Sequence, residues 1–348
     1  MFSFFKPYIF SLDPETAHNL AIKSLKFNLI PKQFFEVENE DLLEIDLFGK
    51  KLKNPIGLAA GFDKSAEVYN SLYNFGFGFI EVGTVTPKMQ LGNPKPRIFR
   101  LEKDHALINR LGFNNDGSDE VLKRISNNTP NGILGINIGP NKDTNDKIED
   151  FKFCLSKFYN QSDYITINIS SPNTEGLRNF HKQENLVELL DKLNSLRKKI
   201  KMKNSLFLKI SPDLDDYNIN YIIELLYKYN INGVILTNTT DKNRDSLTDK
   251  KKKEIGGLSG KPIKDLSTNL IKKFHKETKG KIDIIGVGGV DSGQSAFEKI
   301  IAGAKAVQLY TGMVYKGPNI ASIISNELID ILKKQGIENI SQAVGTKN

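Results

Sequence analysis

Polar residues that could bind a ligand recur where short, β-branched apolar runs end. Such runs lead into Lys64, Thr84, Asn137, the segment Asn168–Thr174 and the segment Thr237–Thr240. One polar residue at a strand end is usually a satisfied turn residue, whereas several together are hard to explain by solvation. Amides, hydroxyls and lysines predominate, and no acidic residue ends the runs between residues 133 and 237. The pattern predicts a site for a polar ligand and disfavours a carboxylate-pair glycosidase or a metal enzyme.

Lys209 lies in the middle of the apolar run Leu206–Ile210. A lysine inside a buried strand is costly unless a negative charge receives it. A reduced flavin carries such a charge on its pyrimidine edge, and a fixed cation there favours reduction. The alternative is a structural pair with a carboxylate, for which no strand residue is an obvious partner. We therefore expect Lys209 to face an anionic ligand.

The last two runs end in glycine-rich segments, Gly286–Gly289 and Tyr310–Gly312. Glycines let backbone N–H groups close on an oxyanion, and in barrel enzymes the loops after strands seven and eight are the usual phosphate site. These two segments predict a bound phosphate group.

Strands and helices alternate from about residue 54, which predicts an α/β chain. Apolar runs without polar alternation are typical of strands that are covered on both faces. Eight β–α units favour a (β/α)₈ TIM barrel over an open sheet, and neither G-x-G-x-x-G after the first strand nor a P-loop motif is present. The predicted strands are Ile56–Ala60, Phe79–Val85, Ile133–Ile138, Tyr164–Ile169, Leu206–Ile210, Val234–Thr237, Ile282–Val287 and Ala306–Tyr310.

A small N-terminal helical extension is expected before the barrel. Asp13-Pro14 is typical of a helix start, and Pro31 would end the extension. We therefore divide the chain into helices (1–40), barrel (41–335) and a C-terminal tail (336–348). An earlier short helix would carry Phe4, Phe5, Tyr8, Ile9 and Leu12, and the apolar stripe of the second would be Ala17, Leu20, Ala21, Ser24, Leu25 and Leu29.

Composition limits the remaining function classes. The chain has 348 residues and a net charge of +8, and its single cysteine, Cys154, excludes a disulfide framework and a Cys-ligated iron–sulfur cluster. The four histidines lie far apart in sequence, so no metal site is expected. Lysine runs such as 250–253 are typical of solvated surface rather than of a nucleic-acid groove. No apolar stretch is long enough to span a bilayer, although an interfacial N-terminal helix stays open.

At its motifs the sequence resembles the dihydroorotate dehydrogenases, in particular the membrane-associated class 2 enzymes that use a quinone. The resemblance runs through Asp13–His18, Asn54–Lys64, Asn109–Asn115, Asn168–Thr174 and Tyr310–Gly312, and only the tail after about residue 330 lies outside it. It implies an α/β barrel that holds FMN and, before it, a helical domain that opens a quinone tunnel.

The resemblance also assigns roles to individual residues. Ser171 is implied as the base that removes a proton from C5 of dihydroorotate, with Thr174 or water passing that proton on. Phe62 stands where the family more often has leucine. His18 and Arg100 match the quinone-proximal pair. The implied substrate residues are Lys64, Asn109, Arg110, Leu111, Gly112, Phe113, Asn168, Asn173, Asn238 and Thr239. The implied FMN residues are Ala59, Ala60, Gly61, Lys64, Thr84, Asn137, Asn168, Lys209, Thr237, Gly260, Gly289, Tyr310 and Thr311.

The partners implied are dihydroorotate and orotate, together with ubiquinone or menaquinone. We expect a monomer in peripheral contact with the cytoplasmic face of the inner membrane, and no nucleic-acid partner. Two other hypotheses stay open: a flavin barrel with a soluble electron acceptor, and a basic barrel associated with nucleic acid, such as a dihydrouridine synthase relative, or a non-catalytic binding module. The segment 174–185 is a candidate lid.

Overall fold

In the computed structural model, which describes residues 2–27, 37, 40–242 and 244–347, the chain alternates between β-strands and α-helices. The strands are β1 (Ile45–Leu47), β2 (Lys50–Leu52), β3 (Ile56–Leu58), β4 (Phe79–Val85), β5 (Ile98–Leu101), β6 (Ala106–Asn109), β7 (Ile133–Ile138), β8 (Tyr164–Asn168), β9 (Ser205–Ile210), β10 (Gly233–Leu236), β11 (Gly257–Gly260), β12 (Asp283–Val287) and β13 (Ala306–Leu309). The helices are α1 (Phe2–Ser11), α2 (Pro14–Lys26), α3 (Tyr69–Tyr73), α4 (Ser118–Asn127), α5 (Lys147–Phe158), α6 (Gln183–Lys199), α7 (Asp216–Lys228), α8 (Lys264–Thr278), α9 (Gly293–Ile301), α10 (Thr311–Lys316) and α11 (Ile320–Gln335).

Eight parallel strands close into a barrel in the order β3-β4-β7-β8-β9-β10-β12-β13. The predicted (β/α)₈ architecture is confirmed, and each predicted barrel strand matches an observed one to within two residues at either end. Every residue of β4, β8, β9, β10 and β13 is buried, because side chains fill the barrel on one face and helices cover the other. This double burial explains why these strands show no polar alternation.

Two small antiparallel sheets that the sequence did not reveal complete the fold. In the β1–β2 hairpin, the Phe48 ring packs against Tyr164, which begins β8, and against Phe207 of β9. The sheet β11-β6-β5 pairs Gly257–Gly260 with Ala106–Asn109. Residues of this second sheet form one wall of the cavity at the barrel mouth.

The N-terminal extension forms the two predicted helices. Asp13 caps α2, since its carboxylate accepts hydrogen bonds from the backbone N–H groups of Glu15 and Thr16. Ala17 and Leu25 are buried as expected, but the inclusion of Leu20 in the buried stripe is wrong, because its side chain is 52% exposed. Ile22 takes its place. The predictions for Leu29 and Pro31 lie outside the described residues. The predicted domain boundary after residue 40 lies next to residues that are not described.

The exposed surface of the two helices is strongly apolar. Phe4 is 72%, Phe5 51% and Tyr8 69% exposed, and Leu20 and Phe27 are exposed as well. None of the helices in the described part of the chain is both long enough and apolar enough to cross a bilayer. At the other end of the chain, α11 ends at Gln335 and a short turn, Ile340–Ala343, packs with buried Ile340 and Ala343.

A buried ion pair joins α2 to Arg97, the residue that precedes β5. Both oxygens of Glu15 accept hydrogen bonds from the Arg97 guanidinium, at 3.1 and 2.7 Å. Burial opposes ionisation of Glu15, but Arg97 and Lys95 outweigh it and hold the pKa of the carboxyl below its usual value. The pair should therefore stabilise the fold above about pH 4.5, the ordinary glutamate value, and lose this contribution as the pH falls through the lowered pKa.

We expect Glu15→Gln to lower the free energy of unfolding at pH 7 by about 3 kcal/mol, because it leaves a buried guanidinium without its anion. Urea denaturation of both proteins at pH 7 and at pH 3 measures the effect. The difference should be smaller at pH 3 than at pH 7, because the lower pH is closer to the lowered pKa of wild-type Glu15. An equal difference at both values would contradict this role of the carboxylate.

Candidate active site

A cavity opens at the carboxyl ends of the barrel strands, where barrel enzymes place their chemistry. Most of the residues predicted for the site lie on its walls. Those that line it are Ala59, Ala60, Gly61, Lys64, Thr84, Asn109, Leu111, Gly112, Phe113, Asn168, Ser171, Asn173, Lys209, Thr237, Asn238, Thr239, Gly260, Gly289, Tyr310 and Thr311.

Two of the predicted substrate and FMN residues do not line the cavity. Asn137 lies behind the wall, where its side-chain oxygen accepts a 2.6 Å hydrogen bond from Thr84. The Arg110 guanidinium donates to Glu254 at 2.9 Å and lies over the Phe99 ring, so this side chain braces the wall instead of lining it.

Amides and hydroxyls form a connected network along one side of the cavity. Asn168 donates to Thr84 at 3.0 Å and to Asn137 at 3.1 Å. Asn238 donates to the Ser170 hydroxyl at 3.0 Å, and Ser170 donates in turn to Asn168 at 3.1 Å. Because neighbours fix each amide, its remaining donors and acceptors present a set orientation to the cavity.

Two buried polar atoms on the cavity wall have no hydrogen-bond partner among the described residues. They are the Thr239 hydroxyl oxygen and the side-chain carbonyl oxygen of Asn114. Buried polar atoms are normally paired, so an unpaired one that lines a cavity indicates a ligand contact. Asn114 was not among the predicted site residues, although it belongs to the Asn109–Asn115 motif.

Lys209 has a strand partner after all, so the expectation that none faces it is wrong. The ammonium lies 3.8 Å from a carboxylate oxygen of Glu81, which is buried in β4. Burial lowers the pKa of Lys209, and the Glu81 charge partly offsets this effect. The two residues lie on strands separated by β7 and β8, so their contact crosses the barrel interior.

Ser171 is buried at the cavity wall. Its hydroxyl oxygen accepts a 3.2 Å hydrogen bond from the backbone N–H of Asn173. Within the described residues no carboxylate or imidazole hydrogen-bonds to this hydroxyl. Thr174 is buried close by in sequence. The serine therefore has no strong base beside it, and a proton that it accepts must be passed on.

At the opposite end, the cavity wall is built from backbone. Gly260 has φ +98° and Gly289 has φ +72°, and a Cβ on either would lie within 2.6 Å of a neighbouring atom. Only glycine fits both positions. The Ser259 and Thr311 hydroxyls are hydrogen-bonded to each other at 2.8 Å beside them. Ser259 also lines the cavity and was missed, because its strand β11 lies outside the barrel pattern.

The segment proposed as a lid is tied to the site by Arg178. Its guanidinium donates to the carbonyl oxygen of Ser170 at 3.2 Å and to that of Thr239 at 2.9 Å. It also pairs with Asp213 at 3.1 Å. The turn Leu177–His181 is therefore held against the loops that carry Ser171 and Thr239.

His18 of α2 approaches the site through aromatic contacts. Its ring packs edge-on against Phe62 at 5.2 Å, and Phe62 contacts the Tyr310 ring at 6.2 Å. Its Nε2 lies 3.5 Å from the Lys64 ammonium. Burial, aided by the Lys64 charge, lowers the pKa of His18 to about 3, so the imidazole is neutral at physiological pH.

Arg100 lies on β5 and contacts a different part of the N-terminal extension. It donates to the carbonyl oxygens of Phe10 and Leu12 and lies over the Phe10 ring. In the described part of the chain no hydrogen bond joins it to His18. The two members of the predicted quinone pair thus hold separate positions, one against the cavity wall and one at the end of α1.

Comparison with known proteins identifies the family. The profile of dihydroorotate dehydrogenase matches residues 42–332. A Bartonella henselae protein named dihydroorotate dehydrogenase (quinone) is 46% identical over 95% of this chain and 92% of its own length. Its counterpart of the same name in Idiomarina loihiensis is 47% identical over 94% and 100%.

Solved structures agree with this assignment. A DHODH from Eimeria tenella in complex with ferulenol is 39% identical, with a TM-score of 0.91 over 96% of this chain and 95% of its own. The ligand-free form has a TM-score of 0.92 at the same identity, over 97% and 99%. The closed barrel, the cavity at its mouth and these likenesses together show that the chain belongs to the dihydroorotate dehydrogenase family.

Proposed function

We propose that this chain oxidises dihydroorotate to orotate and delivers the electrons to a membrane quinone, with FMN as its bound cofactor. The observation that carries the proposal is the gathering of Ser171, Lys64, Lys209 and the amide network around one cavity at the barrel mouth. This arrangement combines a proton acceptor, cations and directional hydrogen-bonding groups, which the oxidation of a polar, anionic ring compound requires.

The cavity suits FMN at both of its ends. Gly260, Gly289 and Thr311 present backbone at one end, where their N–H groups would hold a phosphate. Lys209, Thr84 and the amides of the network lie at the other end, where they would hold a heterocycle with alternating carbonyl and N–H groups. When bound, the flavin supplies the two-electron acceptor that amino-acid side chains lack.

The substrate residues match the chemistry of dihydroorotate. The ring bears one carboxylate, two carbonyl groups and two N–H groups, so it needs a cation and several amides. Lys64 supplies the cation, while Asn109, Asn173 and Asn238 supply amides, and the unpaired Thr239 hydroxyl adds one more contact.

Ser171 Oγ takes the proton from C5 of the substrate in this proposal. The burial of the hydroxyl excludes bulk water from the reacting atoms, and the Asn173 N–H fixes the oxygen in place. Since no stronger base contacts the oxygen, Thr174 or an ordered water carries the proton away.

In this proposal the N-terminal helices contact the membrane and form the quinone-binding region. Phe4, Phe5 and Tyr8 form an exposed apolar surface that suits the membrane interface. From α2, the contacts of His18 with Phe62 and of Phe62 with Tyr310 lead to the cavity wall. In this proposal the chain works as a monomer in peripheral contact with the cytoplasmic face of the inner membrane, with ubiquinone or menaquinone as its acceptor.

Steady-state turnover of dihydroorotate with a panel of acceptors tests the proposal. We expect decylubiquinone or a menaquinone analogue to support turnover at least 100-fold faster than fumarate or NAD⁺. If fumarate supports turnover and the quinones do not, the acceptor is soluble and the N-terminal helices serve only for packing. A colourless protein that shifts an RNA duplex would overturn the proposal as a whole.

A further inference from the structure

Behind the active-site wall, the carboxylate of Glu81 accepts four hydrogen bonds from side chains. It is completely buried within β4, and its two oxygens are shared among side chains from four other strands. The hydrogen bonds to it come from Asn137 at 2.9 Å and from Tyr164, Thr166 and Gln308 at 3.1 Å each, and the Lys209 ammonium lies at 3.8 Å.

Nearly all of these neighbours are neutral, so Lys209 is the positive charge that balances Glu81. Burial and the Glu81 charge raise the pKa of Tyr164 well above its usual value, and the phenol remains a neutral donor. On the strands that flank β9, the residues in register with Lys209 are Asn168 and Ile235, both uncharged. The opposing charge that faces the ammonium from the surrounding strands is therefore that of Glu81.

A lysine in such a position depends on its anion. Removal from water disfavours the charged form, and buried lysines without a partner can be neutral at physiological pH. A neutral Lys209 would present no positive field to the cavity. Glu81 lies behind the wall, and Lys209 is the partner of Glu81 that lines the cavity.

We propose that Glu81 is a positioning residue that keeps Lys209 protonated and directed at the cofactor, and that it thereby sets how readily the bound flavin is reduced. This inference rests on the proposed function, since it requires FMN in the cavity. It goes beyond that function because it makes a carboxylate outside the site a determinant of the cofactor's reduction potential.

The test is the reduction potential of the flavin in Glu81→Gln, an isosteric change that removes the charge and replaces one acceptor oxygen with an NH2 group. Anaerobic titration with dithionite and a reference dye gives the potential between pH 6 and pH 9. At pH 8 we expect the reduction equilibrium to be at least tenfold less favourable than in wild type, which is about 30 mV for a two-electron couple. The deficit should shrink as the pH falls, because a lower pH favours protonation of Lys209.

A potential within threefold of wild type at every pH would overturn the proposal. An increase at pH 8 would also overturn it, because Lys209 would then keep its charge without Glu81. In a Lys209→Met background, Glu81→Gln should add no further pH-dependent shift. Thr166→Val is the matched control, since it removes one neutral hydrogen bond to Glu81 and leaves both charges in place.

Glu81→Asp covers the case in which the glutamine variant does not fold. It keeps the carboxylate but withdraws it by one methylene, so we expect a smaller shift of the same sign, and an unchanged potential would count against the proposal. Because dithionite replaces the substrate, the titration does not depend on dihydroorotate. Failure of the proposed function would instead appear as wild-type flavin that dihydroorotate does not reduce.

Discussion

Replacing Ser171 with alanine is expected to slow the reduction of bound flavin by dihydroorotate about 100- to 10,000-fold, the usual contribution of a positioned base. The hydroxyl lies on the cavity wall with its oxygen fixed by the Asn173 N–H. Alanine removes this proton acceptor and leaves the amides and lysines in place. FMN content should therefore be unchanged, and stopped-flow absorbance of the flavin under anaerobic conditions measures the rate.

Ser162→Ala is the matched control for this experiment. Ser162 lies just before β8, whereas Ser171 follows β8 at the opposite end of the barrel. The buried hydroxyl of Ser162 has no hydrogen-bond partner among the described residues. We expect wild-type flavin reduction in this variant. Near-normal reduction in Ser171→Ala as well would show that another group removes the C5 proton.

The second large effect is expected on membrane binding when the exposed aromatic rings of α1 are removed. The triple variant Phe4→Ser, Phe5→Ser, Tyr8→Ser removes three exposed aromatic rings from α1. If each ring contributes about 1 kcal/mol on insertion into the interface, affinity for vesicles of anionic phospholipid should fall about 100-fold. Turnover with a long-chain quinone embedded in the vesicles should fall with it, whereas reduction of the flavin by dihydroorotate should stay at the wild-type rate.

Phe153→Ser with Tyr217→Ser provides the comparison. Both rings are exposed, but they belong to α5 and α7 on the outside of the barrel. Vesicle sedimentation and quinone turnover should be unaffected in that double variant. Equal losses in the two variants, or no loss in either, would remove α1 as the membrane-binding element.

The barrel could be predicted because each strand is covered on both faces. The β4 and β7 runs, Phe79–Val85 and Ile133–Ile138, were predicted with their observed bounds. The partner of Lys209, Glu81, was not predicted. Glu81 was overlooked although, like Lys209, it is a charged residue inside a predicted buried strand. What the sequence does not show is that the two side chains face each other across the barrel, from strands separated by β7 and β8.

Other features depend on pairing between distant segments. β11 meets β6 across about 150 residues. Both strands lie outside the alternation of strands and helices from which the barrel strands were predicted. The ends of the barrel strands predicted that Thr84 and Asn168 would share a site. Side-chain direction was not predictable, and Arg110 turns to Glu254 instead of lining the cavity.

The most direct test of the account is the addition of dihydroorotate to the purified protein in the absence of oxygen. We expect a yellow protein whose flavin absorbance bleaches on addition of dihydroorotate and returns when decylubiquinone is added. A yellow protein that dihydroorotate leaves unbleached, or a preparation that binds no flavin even after incubation with FMN, would contradict the account.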